Sequence, residues 1–133
     1  HQHYGKDNVI RHNVLLDATD QQIQATRVED HLSFTFEHNI IAWATGKAIT
    51  GRWDKMQTVT GNNCWWNTAG EAVTFLGKPL ADWQAAGDEQ GSGVADPLFV
   101  NPGPPNYDFH VKPGSPACGA AENGGDVGVY ACD

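Results

Sequence analysis

Three stretches of the chain alternate apolar and polar residues, reach an asparagine, and then turn apolar again. They are Asn8-Val9-Ile10-Arg11-His12-Asn13-Val14-Leu15, Leu32-Ser33-Phe34-Thr35-Phe36-Glu37-His38-Asn39-Ile40-Ile41 and Gln57-Thr58-Val59-Thr60-Gly61-Asn62-Asn63-Cys64-Trp65. Strict alternation predicts strands with one buried face. The asparagines recur at a nearly constant step, from 13 to 39 and from 39 to 63. A strand pattern repeating every 20–30 residues or so points to a solenoid of stacked strands. In such a stack Asn13, Asn39 and Asn63 stand at equivalent corners. There they tolerate left-handed backbone and hydrogen-bond one another from one rung to the next. Leu32, Phe34 and Phe36 point inward. A second stacked face is expected from residues 1–4, 22–27 and 48–53, each of which precedes one of the asparagines. The competing interpretation is an ordinary β-sandwich in which the asparagine spacing is coincidental.

The repeat stops after residue 75. Pro79 to Gly87 reads as a short helix, with proline at its start and glycine closing it. Leu80 and Trp83 share one face of that helix and are expected to cover the coil. Residues 95–100 and 107–111 read as strands about a Pro/Gly turn, and a Gly-rich tail follows. The expected fold is thus all-β, with about three to four rungs over residues 1–78. Residues 79–133 supply the helix, the closing strands and the tail of the same domain.

Composition sharpens this picture. Fifteen glycines, seven prolines and five tryptophans suit a turn-rich β protein. A net charge of −8 argues against nucleic acid and anionic membranes as partners. No apolar run is long enough to span a bilayer, and the chain opens on no recognisable secretory leader. Three cysteines allow one intramolecular disulfide. Cys118 and Cys132, both in the tail, are the expected pair, which would imply an oxidising compartment, with Cys64 a buried hydrophobe. Three free thiols are the alternative.

The run Ala95-Asp96-Pro97-Leu98-Phe99-Val100-Asn101-Pro102, with Tyr107-Asp108-Phe109-His110-Val111-Lys112-Pro113-Gly114-Ser115-Pro116-Ala117, resembles the closing segment of secreted right-handed parallel β-helix proteins. Residues 1–8, 27–37 and 73–75 extend the likeness over nearly the whole chain. The resemblance implies a right-handed parallel β-helix, an extracellular or periplasmic location and a polysaccharide partner. Glycoside hydrolysis is the first activity it suggests. Polysaccharide elimination and non-catalytic glycan binding are the alternatives. Members of that group are several times longer, so the chain reads as a fragment, a processed product or a miniature form. An N-terminally open solenoid exposes strand edges, and its first rung is expected to be covered by a partner chain or by self-association.

The densest polar cluster is Arg27, Glu29, Asp30 and His31, in register with His1, His3 and Tyr4 on one side and Arg52, Trp53 and Asp54 on the other. Rungs stack about 4.8 Å apart, so these groups are expected to converge on one groove. Glu29, His31, Arg27 and Asp30 are the candidate catalytic residues. Adjacent strand residues face opposite ways, so Glu29 and His31 share a face and Asp30 is reversed. A Glu–His pair offers general-base chemistry. His3, Tyr4, Arg52, Trp53, Asp54 and Trp66 are the candidate sugar-binding residues, with Trp53 and Trp66 as stacking platforms. A solvated, salt-bridged loop is the competing reading of this cluster. No cofactor is expected on the main reading. Should His1 be a mature N-terminus, His1 and His3 suit copper, which would suggest a small redox protein. His12 and His38 are expected to stack outward on adjacent rungs.

Overall fold

Alternating sequence becomes short strands that pair with the strand one repeat away. The computed structural model describes residues 1–133. Eight strands run through the first half: β1 (Asn8–Arg11), β2 (Val14–Leu16), β3 (Gln21–Ala25), β4 (Leu32–Glu37), β5 (Ile40–Trp43), β6 (Lys47–Gly51), β7 (Gln57–Gly61) and β8 (Cys64–Asn67). All pairings among them are parallel and skip two strands. β1, β4 and β7 form one sheet, β2, β5 and β8 a second, and β3 and β6 a third. Ile10 lies beside Phe36, and Phe36 beside Thr60. Val14 lies beside Ile40, and Ile40 beside Cys64. The protein is therefore mostly β with parallel sheets, in the repeat register that the asparagines mark.

The residues facing inward from the three sheets form one apolar cluster. It includes Phe34, Phe36, Ile41, Trp43, Ile49, Trp53 and Trp65, all less than a tenth exposed. One end of this cluster is closed by β9 (Thr74–Phe75), β10 (Lys78–Pro79) and the helix α1 (Leu80–Ala85). Phe75 is buried against Trp65, and the Trp83 indole N–H donates to the Phe75 carbonyl at 2.9 Å. Leu80 and Trp83 pack on the cluster together, as their spacing predicts. At the other end β1 and β2 each pair on one side only. There Gln2 alone continues a ladder, bridging to Ala25 in parallel.

Beyond α1 the repeat resumes, contrary to the expectation that it ends near residue 75. β11 (Gly93–Val94) adds a fourth strand beside β8, with Gly93 next to Cys64. The last two strands, β12 (Phe99–Asn101) and β13 (Asp108–Val111), form an antiparallel hairpin. Phe99, Ala117 and Val127 cover the outer face of the second sheet over Ile40, Ala42 and Cys64. This double coverage explains why β5 is buried along its whole length. Cys118 and Cys132 form a disulfide, and Cys64 is free and buried. Burial pushes the Cys64 thiol up to about 12, with Asp96 adding to the shift, so it is an inert core thiol. No helix is long and apolar enough to cross a membrane.

The asparagine corners form a hydrogen-bonded ladder. Asn39 Oδ1 accepts from the Asn13 backbone and side-chain N–H groups at 3.0 and 3.1 Å. Asn63 Oδ1 accepts from the corresponding Asn39 groups at 2.9 and 3.3 Å. The left-handed backbone, however, belongs to the residue before each asparagine: His12, His38 and Asn62 have φ of 55°, 56° and 51°. The tight reversal is made one residue earlier, which frees the asparagine side chain to turn inward along the stack. Gly91, at φ 74°, repeats this arrangement before Ser92, whose Oγ accepts from Asn63 N–H at 2.9 Å. Ser92 is thus the ladder's fourth member.

Candidate functional site

Residues from two successive repeats meet at the corner between the third and first sheets. Gln2 N–H donates to Gln24 O at 2.7 Å and Thr26 N–H to Gln2 O at 3.0 Å, which fixes residues 1–4 beside residues 24–27. Ring nitrogens of His1 and His3 both lie 2.8 Å from Thr26 Oγ1. The Arg27 guanidinium sits 4.4 Å from the centre of the Tyr4 ring, and Arg27 Nε donates to Glu29 Oε1 at 2.6 Å. His31 Nε2 reaches the Gly5 carbonyl at 3.1 Å. The result is an exposed shelf carrying an aromatic ring, a guanidinium, a carboxylate and imidazoles. Tyr4 remains 65% exposed, with Arg27 over one face of its ring and the His3 ring set edge-to-face with it at 4.5 Å.

The rest of the expected groove does not assemble. Trp53 is a core residue, 4% exposed, with its ring edge-on to Phe34 at 5.0 Å. A single 3-10 turn, Trp53–Lys55, breaks the two-residue period there and swings the indole inward, so Trp53 is no sugar platform. Arg52 and Asp54 are exposed on either side of it, and Asp54 has only Lys55 nearby, at 3.7 Å. Asp30 is exposed and joins no ion pair. Trp66 is half-buried among the apolar residues under the C-terminal segment, on the second sheet and away from the shelf. The shelf thus unites His1, His3, Tyr4, Arg27, Glu29 and His31 and leaves out Arg52, Trp53, Asp54 and Trp66. As copper ligands, His1 and His3 share a hydroxyl partner and gain no third His, Cys or carboxylate ligand.

Two polar clusters were not legible beforehand. His12 and His38 do stack, 5.1 Å apart, but His38 is fully buried rather than outward. Its Nε2 lies 2.8 Å from Glu122 Oε2, and Glu122 also pairs with Arg11. Arg11 and His38 together hold the Glu122 carboxyl below its ordinary range. Glu37, His38 and Glu122 converge closely enough to suggest a cation site, but Arg11 already pairs with both carboxylates.

The second cluster is Glu89, 3% exposed, at the end of the asparagine ladder. It accepts from Ser92 Oγ, from Trp65 Nε1 at 3.2 Å and from Asn63 Nδ2 at 3.4 Å. Burial pushes its carboxyl above the ordinary range, against the opposing pull of those donors. A folded-state pKa above the unfolded one gives stability that is fully present below the unfolded value. That stability is lost as pH rises through the folded value. Glu89→Gln is therefore expected to gain on the wild type as pH rises from about 4, where an unfolded glutamate titrates. Urea denaturation of both proteins across that range reads the difference. A constant difference at every pH would show that Glu89 does not titrate differently on folding.

A groove of 750 Å³ runs along β6, between residues 43–51 on one wall and Asn67 with residues 71–77 on the other. The only sequence trace of it is negative: no third strand pattern follows the 22–27 and 48–53 segments. No family model, no curated protein and no solved structure matches this chain.

Proposed function

We propose that the three parallel ladders are the faces of a right-handed parallel β-helix, and that the protein binds a neutral polysaccharide on the shelf around Tyr4. The carrying observation is the exposed Tyr4 ring beside the Arg27–Glu29 pair, built from two consecutive repeats. Aromatic faces stack on pyranose rings, and Glu29 and the imidazoles offer hydrogen bonds to hydroxyls at the ring's edge. The net charge of −8 favours a neutral glycan over a polyuronate. The Cys118–Cys132 bond supports an oxidising compartment, consistent with secretion.

Binding fits this surface better than either reaction. Hydrolysis uses two carboxyl groups about the scissile bond, and here Glu29 is engaged by Arg27 with no second carboxylate bonded into the shelf. Elimination needs a free cation beside a uronate, and Arg27 is held by Glu29. Tyr4→Ala is expected to weaken glycan affinity up to about tenfold, as loss of one stacking contact does, with an unchanged melting temperature. Calorimetry against the best ligands of a neutral glycan array checks this. Absence of any carbohydrate ligand would overturn the binding reading. Polysaccharide turnover abolished by Glu29→Gln would restore the hydrolase one.

A further inference from the structure

The inward side chains of the first repeat surround an opening at the end of the stack. Ile10 of β1, Leu15 of β2 and Ile23 of β3 stand on its three sides, each half-buried. Phe34 and Phe36, in the next repeat, make its floor and are 2% exposed. Together they bound a cavity of 200 Å³. Ile10 lies over Phe36 in the parallel register, and Ile23 over Ile49, so the walls continue the apolar columns of the core. The opposite end of the same stack shows what such a cross-section accepts. There an aromatic ring, Phe75, lies edge-on to Trp65 at 4.9 Å and is 1% exposed, with Trp83 beyond it. The first repeat has no ring of its own in that place.

The mouth of the cavity narrows the ligand chemistry. Gln2 and Gln22 border it, but both amides are engaged within the fold. Gln2 Oε1 accepts from Asn8 and its Nε2 donates to the Tyr4 carbonyl. Gln22 bonds to the N–H and the carbonyl of Ala18. His1 Nε2 is taken by Thr26, so the other ring nitrogen of His1 is the one uncommitted polar atom among the rim side chains. No carboxylate, lysine or arginine lines the space. An ionised ligand would lose its water there with no charge to replace it. Cavities of about 150 Å³ walled by leucine, isoleucine and phenylalanine take up a benzene ring.

We propose that the open end of the stack is a binding site for a small uncharged aromatic molecule, of one or two fused rings with at most one polar atom. Its ring lies on Phe34 and Phe36 between Ile10, Leu15 and Ile23, in the position that Phe75 holds at the opposite end. Its polar atom meets His1 at the mouth.

The probe is indole. Titration into the isotope-labelled protein, followed by methyl NMR, is expected to saturate with a dissociation constant of about 1 mM or lower. Ring-current shifts are expected at the Ile10, Leu15 and Ile23 methyls and not at Ile40 or Val127, which lie under the C-terminal segment. Ile10→Phe sets a ring in the cavity from β1 and is expected to weaken indole at least tenfold without lowering the melting temperature. Leu15→Phe does the same from β2 should the first variant fold poorly. Sedimentation is expected to give the same single species with and without indole. No saturable shifts, shifts centred elsewhere, or full affinity in a folded phenylalanine variant would each overturn the site. Indole that dissociates a dimer would overturn it too, by showing that a second copy fills the opening. A failed glycan array with indole bound would sink only the shelf reading.

Discussion

Trp53→Ala is expected to destabilise the protein by about 3–5 kcal/mol, the usual cost of emptying a buried aromatic site. The indole packs edge-on against Phe34 at 5.0 Å and Phe36 at 6.1 Å, so its removal leaves a hole against the inner face of β4. A surface tryptophan would behave otherwise, losing ligand affinity and leaving the fold intact. Trp53→Phe separates packing from hydrogen bonding. Trp53 Nε1 is buried without a partner, so the phenyl ring keeps most of the packing and removes an unsatisfied donor. Its cost should be well below that of the alanine variant. Urea denaturation of both variants provides the comparison. An unmoved midpoint for Trp53→Ala would mean that the side chain does not lie in the core.

The second large effect is expected at Asn39. This residue is fully buried and sits in the middle of the ladder. Its Oδ1 accepts from Asn13, and its Nδ2 donates to the Ile10 carbonyl at 3.0 Å and to Asn63. Asn39→Ala removes all of these at once and strands groups on both neighbouring repeats. Each buried group left unpaired costs about 1–3 kcal/mol, so a total near 3 kcal/mol or more is expected. That is a large share of the 5–15 kcal/mol or so that holds a typical domain together. Asn13→Ala, at the exposed end of the ladder, should cost far less. Amide exchange distinguishes a local from a general effect: in Asn39→Ala the Asn13 N–H should lose protection first. Equal losses at both asparagines would mean that the ladder does not work as a chain of dependent bonds.

The contrast between these two residues shows what the sequence could reveal. Asn39 was legible because its role repeats: the same residue, at the same step, beside the same alternation. Ser92 holds the same position but carries no such mark. It is a serine rather than an asparagine, and it arrives 29 residues after Asn63 because the closing hairpin and α1 intervene. Trp53 departs from the sequence expectation because a single 3-10 turn reverses its direction, and a string of mostly polar neighbours gives no sign of that. His38 is expected outside because, like His12, it directly precedes a ladder asparagine. What buries it is the segment around Glu122, 84 residues further along, and a contact so distant leaves no local trace. The shelf was half legible for a similar reason. Residues 1–4 and 24–27 are joined by main-chain pairing that follows the repeat, whereas residues 52–54 depart from it.

The C-terminal cover also sets an order of events in time. Each strand of the first half meets its partner within one repeat, so those contacts close short stretches of chain and can form progressively. The cover is different in kind: Glu122 reaches Arg11 across 111 residues, and Gly128 N–H meets the His38 carbonyl. Its docking surface, the outer side of β2, β5 and β8, exists only once those strands have stacked. The Cys118–Cys132 bond, by contrast, spans just 14 residues within the cover itself. Oxidation can therefore shape the loop bearing Glu122 before the sheet is ready to receive it. The segment then arrives as a preformed latch, and its docking is the step that records that the stack beneath is complete.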